Sequence, residues 1–186
     1  MMRALLHWLR WRVPDHPFLY TLAQRYVMQY LGEDTEDMLL NGEWLCIRHF
    51  IPTARTVFDV GANVGEWASL VRKVNPECEI HCFEPSPSTF EQLCKACLPG
   101  KVVLNNFGLS SKPGTANLHT FSETIHNSLH PVRYDHPETG LIQIELKTMD
   151  GYISDKGIEL IDYCKIDVEG HELEVLLGMS RTIREE

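Results

Sequence analysis

Four short apolar runs, spaced by segments of a different periodicity, constrain this chain more than anything else in it. Thr56–Val60, Ile80–Phe83, Val102–Leu104 and Ile161–Val168 are short apolar runs that read as buried strands. Between the first three lie segments that repeat as helices do. Residues 65–74 place Val64, Trp67, Ala68 and Val71 on one side, and residues 87–97 open with the Ser86-Pro87 pair. Strand, helix, strand, helix, strand at this spacing predicts a parallel sheet built from right-handed crossovers, an α/β domain with helices on both faces. Two alternating segments, about 115–120 and 141–147, read as added strands around the polar stretch Phe121 to Gly140. A loop of that length in a compact domain is usually functional. Asp150–Lys156 reads as a short helix, and Glu169–Leu177 as a helix ending at Gly178.

Upstream the pattern is helical. Residues 15–31 have Pro17 in a first turn, Leu19, Leu22, Tyr26 and Tyr30 on one face, and Gly32 as a stop. The acidic stretch Glu33 to Asp37 reads as a hinge, and a second helix over about 36–50 leads to Pro52. The expected division is a helical N-terminal extension over 1–52 and a single α/β domain over 53–186. The first thirteen residues carry Arg3, Arg10 and Arg12 and no acid, with an apolar stretch too interrupted for a signal peptide. They fit a basic helix on a membrane surface or one packed on the domain. Packing is the expectation, because one short basic helix is a weak anchor. With no export signal read there, a cytoplasmic location is expected.

Composition limits the function classes. The chain is 44% hydrophobic, too apolar for a disordered protein. Its 17 basic and 26 acidic residues leave a net charge of −9 and no basic stripe for phosphates, so a nucleic-acid partner is not expected. No run of about 18 apolar residues occurs, so no transmembrane segment is expected. Among six cysteines, the spacing of Cys78, Cys82, Cys94 and Cys97 superficially resembles a zinc site. Cys82 sits within an apolar strand and Cys94 and Cys97 on a helical pattern, so these read as ordinary core and surface thiols, and no metal is assigned.

The chemistry concentrates in three places. Asp59-Val60-Gly61-Ala62-Asn63-Val64-Gly65 lies at the carboxyl end of the first strand, where open α/β sheets bind ligands. Gly61 is expected to let the backbone turn tightly and approach a ligand, and Gly65 to let the helix start close to the sheet. A dinucleotide fingerprint would place a glycine where Asn63 stands, to make room for a pyrophosphate. A nucleoside without phosphates therefore fits better. Glu84 closes the second strand, 19 residues after Gly65, where an acid can accept hydrogen bonds from ribose hydroxyls. The third place is Lys165-Ile166-Asp167-Val168-Glu169-Gly170-His171-Glu172. Alternation puts Lys165 and Asp167 on one face, where they either neutralise each other or meet a substrate or cofactor directly.

Taken together, these motifs resemble the FkbM family of methyltransferases. The likeness runs from about residue 41 to 179 and includes Phe83-Glu84-Pro85, Asn127-Ser128-Leu129 and Thr148-Met149-Asp150. The resemblance implies a Rossmann-like class I fold that uses S-adenosyl-L-methionine to methylate a hydroxyl on a sugar, glycan or natural product. It implies that Asp59, Gly61, Asn63 and Gly65 line the methionine side of the cofactor, that Glu84 holds its ribose, and that Asn105 or Asn106 lies near the adenine. An alcohol is a poor nucleophile, so a general base or a metal is expected to help remove its proton; the candidates for the base are Asp167 first and His171 second, with Lys165 beside them. Asn127, Ser128 and Glu169 are expected at the acceptor. His126, His130 and His136 are read as solvated loop residues rather than metal ligands, and Arg133 and Tyr134 as acceptor contacts.

The resemblance also implies a seven-stranded sheet ordered 3-2-1-4-5-7-6, of which four core strands are legible here. The expectation is a sheet incomplete at its C-terminal side, with Ile161–Val168 at an edge prone to self-association. Alternative readings are a cofactor-binding pseudoenzyme and a nicotinamide-dependent oxidoreductase.

Overall fold

The computed structural model describes residues 17–31, 38, 41–96, 98–122, 127–130 and 138–185. The expectations for Arg3, Arg10, Arg12, the hinge at 33–37, Cys97, His126, Arg133, Tyr134 and His136 lie outside the described residues. The chain forms two compact units, Met1–Cys46 and Ile47–Glu186.

In the first unit, helix α1 spans Pro17–Leu31. The face read from Leu19, Leu22, Tyr26 and Tyr30 is exposed along its whole length. Helix α2, Glu43–Phe50, starts later than its periodicity suggests. Gly42 adopts a left-handed φ of +94°, which breaks any earlier helix, and Asn41 Oδ1 accepts the Glu43 N–H at 3.0 Å to begin the new one.

The second unit is α/β. Strands β1 (Thr56–Val60), β2 (Glu79–Phe83) and β3 (Val102–Asn105) alternate with helices α3 (Glu66–Val74) and α4 (Pro87–Lys95). Then follow β4 (Gly108–Leu109), β5 (Gly114–Phe121), β6 (Glu138–Lys147), α5 (Met149–Lys156), β7 (Tyr163–Ile166), α6 (Glu172–Gly178) and α7 (Ser180–Glu185). The main sheet is wholly parallel and ordered β3-β2-β1-β7. It is the Rossmann-like arrangement, with helices on both faces, and β7 is an outer strand among the described residues.

Alternation along the strands divides the core. Phe58, Val60 and Phe83 point to the face covered by Met149 and Tyr152 of α5 and Val175 of α6. The other face meets α3, whose Trp67 stacks on Tyr163 with ring centroids 5.8 Å apart. Arg72 of the same helix is buried, and its Nη2 donates to the Lys101 carbonyl at 2.9 Å, fastening α3 to the start of β3.

The two alternating segments pair antiparallel as β5 and β6, and β4 joins β6 to complete a separate three-stranded sheet. Leu118, Ile144 and Leu146 form its own small core. The pair β4 had no sequence signal, being two residues long. Helix α6 begins at Glu172 rather than Glu169. Glu169 (φ +52°) and Gly170 (φ +94°) make a left-handed turn, and Glu172 Oε1 accepts the N–H groups of Val168 and Gly170 at 3.1 and 3.2 Å. Helix α7 adds a turn of structure that the sequence reading left blank; Asp150 Oδ2 and Oδ1 accept the Arg181 and Thr182 N–H groups, both at 3.0 Å.

Candidate active site

The carboxyl ends of β1, β2 and β7 converge because backbone pairing continues past the strands. The N–H groups of Gly61 and Ala62 both donate to the Phe83 carbonyl at 3.0 Å, and the Asp167 N–H donates to the Val60 carbonyl at 3.0 Å. The turn after β1 is thus laced to both neighbours. Gly61 has φ +82°, and a Cβ there would lie 1.9 Å from the Asp167 carbonyl oxygen. Its left-handed φ makes the tight turn expected of it, and the adjoining strand end leaves no room for a side chain. Gly65 (φ +87°) stands at the N-terminus of α3 in a left-handed conformation. A Cβ there would meet Leu93 of α4 at 2.7 Å, so it permits close packing toward that helix.

Glu84 is the organising side chain. It is buried, with Oε2 accepting the Asn63 N–H at 3.0 Å and Oε1 accepting the Ser86 N–H at 2.9 Å. Asn63 itself adopts φ +46°, a conformation asparagine tolerates better than most residues. Burial pushes the Glu84 carboxyl up to about 7; the two N–H groups pull it down and the nearby Asp59 pushes it further up. Asn106 Nδ2 donates to the Glu84 carbonyl at 2.9 Å, and Asn105 Nδ2 to the Cys82 carbonyl at 3.0 Å. Asp59, Gly61, Asn63, Glu84 and Asn106 therefore belong to one neighbourhood. Ser86 was not singled out for the site. It both holds Glu84 and caps α4, and the Ser-Pro helix start was the only signal that could have pointed to it.

At the β1–β7 boundary, Lys165 Nζ stands 3.1 Å from Asp167 Oδ2 and 3.8 Å from Asp59 Oδ1. The Asp59 side chain is fully buried, whereas that of Asp167 is 58% exposed. One cation thus serves two carboxylates, and the outer one faces solvent.

The remaining predicted residues gather in a second cluster. His171 is buried; its Nδ1 lies 3.2 Å from His130 Nε2 and its Nε2 lies 3.1 Å from Ser110 Oγ. Burial pushes the His171 imidazole down, and His130 beside it acts in the same direction. Ser128 is fully buried, donating to the Glu169 carbonyl at 2.7 Å and accepting the His130 N–H at 3.1 Å. Asn127 Oδ1 accepts the Phe121 N–H at 3.0 Å. These contacts fasten the 127–130 segment to the turn between β7 and α6. Ser110 has no motif around it, so its part in the cluster is a product of the fold.

Cys78 and Cys82 are buried and Cys94 is exposed. Desolvation pushes the Cys78 thiol up to about 11 and raises that of Cys82 as well, which suits neutral core thiols.

Fold and site together define a Rossmann-like α/β domain whose first strand ends in a glycine turn beside a buried acid. The family model for the methyltransferase FkbM domain matches residues 59–185. The chain belongs to that family. It is similar to the hexuronic acid methyltransferase AglP of Haloferax volcanii, 30% identical over 167 residues that cover 87% of this chain and 66% of that protein. It is also similar to the 2-O-methyltransferase NoeI of Sinorhizobium fredii, 27% identical over 68% of this chain and 58% of that one. The 31-O-demethyl-FK506 methyltransferase FkbM of Streptomyces tacrolimicus is 26% identical over 66% and 58%. The chain thus spans about two thirds or less of the length of these relatives.

Proposed function

We propose that this domain binds S-adenosyl-L-methionine over the turn after β1 and directs its methyl group to a hydroxyl of a sugar, glycan or natural product. The observation that carries this reading is Glu84. Each of its oxygens accepts one backbone N–H, and a carboxylate oxygen can accept more than one hydrogen bond, so capacity remains for two ribose hydroxyls.

The charges of the site support the same ligand. Asp59 and Asp167, together with the ionised share of Glu84, outnumber Lys165, an excess that suits a cationic cofactor. Helix α3 opens with Glu66, an acid placed where a bound phosphate would need the opposite charge. A nicotinamide dinucleotide with its pyrophosphate fits this donor set poorly. When bound, S-adenosyl-L-methionine supplies a methyl carbon on a positive sulfur. The protein's own task is then to line up the acceptor oxygen and remove its proton.

Asp167 is assigned that task. Its carboxylate is exposed, just past the end of β7, and Lys165 orients it. Both ring nitrogens of His171 are engaged by His130 and Ser110, which leaves this side chain to hold the turn. Asn127, Ser128 and Glu169 are assigned to the acceptor wall through the segment they fasten. Two of the relatives act at 2-O and 31-O positions, which favours an oxygen acceptor.

Calorimetry with S-adenosylhomocysteine tests the cofactor assignment. Binding is expected, and Glu84→Ala should weaken it roughly 10- to 100-fold through loss of two charge-assisted hydrogen bonds. Equal affinity in the variant would refute the assignment. A methyl-transfer assay on uronic-acid glycans then separates an enzyme from a pseudoenzyme that only binds, and a rise in melting temperature with NAD would favour the oxidoreductase reading.

A further inference from the structure

Helix α1 has a composition and an exposure that the methyltransferase reading does not use. Over Pro17–Leu31 no acidic residue occurs. Leu19, Leu22, Tyr26, Val27 and Tyr30 are 45%, 54%, 70%, 51% and 81% exposed. At 3.6 residues per turn these five fall within one half of the helix circumference, joined there by the 66% exposed Tyr20. This is a broad apolar face on a helix that lies in a unit separate from the α/β domain.

Two properties indicate what covers it. The first is charge. Residues 1–31 contain four arginines, Arg3, Arg10, Arg12 and Arg25, against the single acid Asp15, in a chain whose net charge is −9. The segment that carries the apolar face is thus net positive in an otherwise acidic chain, which suits an anionic surface. A second copy of the same segment would bring like charge against it. The second is residue type. Three of the exposed side chains are tyrosines, whose apolar ring and polar tip suit the level of lipid headgroups. At 15 residues the helix is about 22 Å long, too short to cross a bilayer core of about 30 Å, so it would lie along the surface.

We propose that α1 is an interfacial helix that seats this protein reversibly on an anionic membrane surface, with Leu19, Leu22, Tyr26, Val27 and Tyr30 turned into the headgroup region. This does not depend on the assigned reaction. The binding is moderate, as one helix without a lipid modification provides only part of a stable anchor.

The test is co-sedimentation of the full chain with vesicles of phosphatidylcholine alone and of phosphatidylcholine with an equal part of phosphatidylglycerol. Binding is expected to the mixed vesicles, to fall as salt rises, and to drop about ten-fold or more in the double variant Leu22→Glu/Tyr26→Glu. Circular dichroism and the melting temperature of the α/β unit should be unchanged in that variant, which separates loss of the surface from loss of the fold. A second variant, Arg10→Gln/Arg12→Gln, should bind mixed vesicles more weakly while keeping the apolar face. The proposal is overturned if the wild-type chain ignores the mixed vesicles, if the Leu22/Tyr26 variant binds them equally well, or if lipid charge makes no difference. A wild-type dimer that the same variant dissociates, with no vesicle binding, would likewise overturn it and assign the face to a second copy.

Discussion

Glu84 shows how a single side chain can link stability, ligand and pH. Its carboxyl, raised by burial to about 7 from an ordinary 4.5, holds its proton more tightly in the folded than in the unfolded chain. That contribution to stability is complete below about pH 4.5 and is lost as the pH rises through about 7. Glu84→Gln removes this dependence. Relative to the wild type, its stability should therefore rise between about pH 5 and pH 8, by up to about 3 kcal/mol. Paired denaturant titrations at the two pH values would check this; a constant difference between the proteins contradicts it. The pairing matters because His81 and His171, both pushed down by burial, favour the folded state above about pH 6.5 and are common to both proteins. Affinity for S-adenosylhomocysteine should increase over the same interval, since only the ionised carboxylate accepts at both oxygens. Gly61 was legible as a required glycine because of its tight turn, but its second constraint was not: the structure brings the Asp167 carbonyl to where a Cβ would be. Gly61→Ala should consequently cost about 3 kcal/mol or more in chemical denaturation even without cofactor, by combining a forbidden φ with a backbone collision.

Elements with a strong local cause were readable, and those stabilised by distant partners were not. Helix α4 begins where Ser86-Pro87 says it should, because the cap and the ring both act within one turn. The start of α6 could not be read, because the acids of Glu169 and Glu172 suit a helix start in either register. The choice is made by Ser128, which grips the Glu169 carbonyl from 41 residues away. The same helix ends against the second sheet. A Cβ on Gly178 would lie 2.1 Å from the Ser110 carbonyl oxygen, so α6 and the end of β4 are in backbone contact. Gly178→Ala should lower stability by about 2–3 kcal/mol, as overpacking that only a backbone shift can relieve. Gly157, with open space around it and φ +64°, provides the control: Gly157→Ala should cost only about 1 kcal/mol. Similar losses at the two positions in thermal melts would contradict this account of the α6 contact.

At the scale of the molecule, the parallel sheet leaves β3 and β7 as its outer strands among the described residues. β7 pairs with β1, and a groove lined by Phe50, Ile161, Asp162, Tyr163, Cys164, Met179 and Thr182 lies beside it. A mostly apolar groove is a surface that a second copy can cover. The chain by itself is thus expected to self-associate in a concentration-dependent way, and a monodisperse monomer in light scattering would contradict that. The division between the two kinds of information follows from the range of the forces. Period-two runs, helix caps and glycine turns act over a few residues, so the strands and helices of the first half, the turn after β1 and the acid one strand over were legible in the sequence, and the strand order came with the family resemblance. The pairing of β4 with β6, the gathering of Ser110, His130 and His171, and the sharing of Lys165 between Asp59 and Asp167 join residues that no local pattern relates. Only the closing of the sheets brings them within hydrogen-bonding distance, and there burial sets their charge and their use.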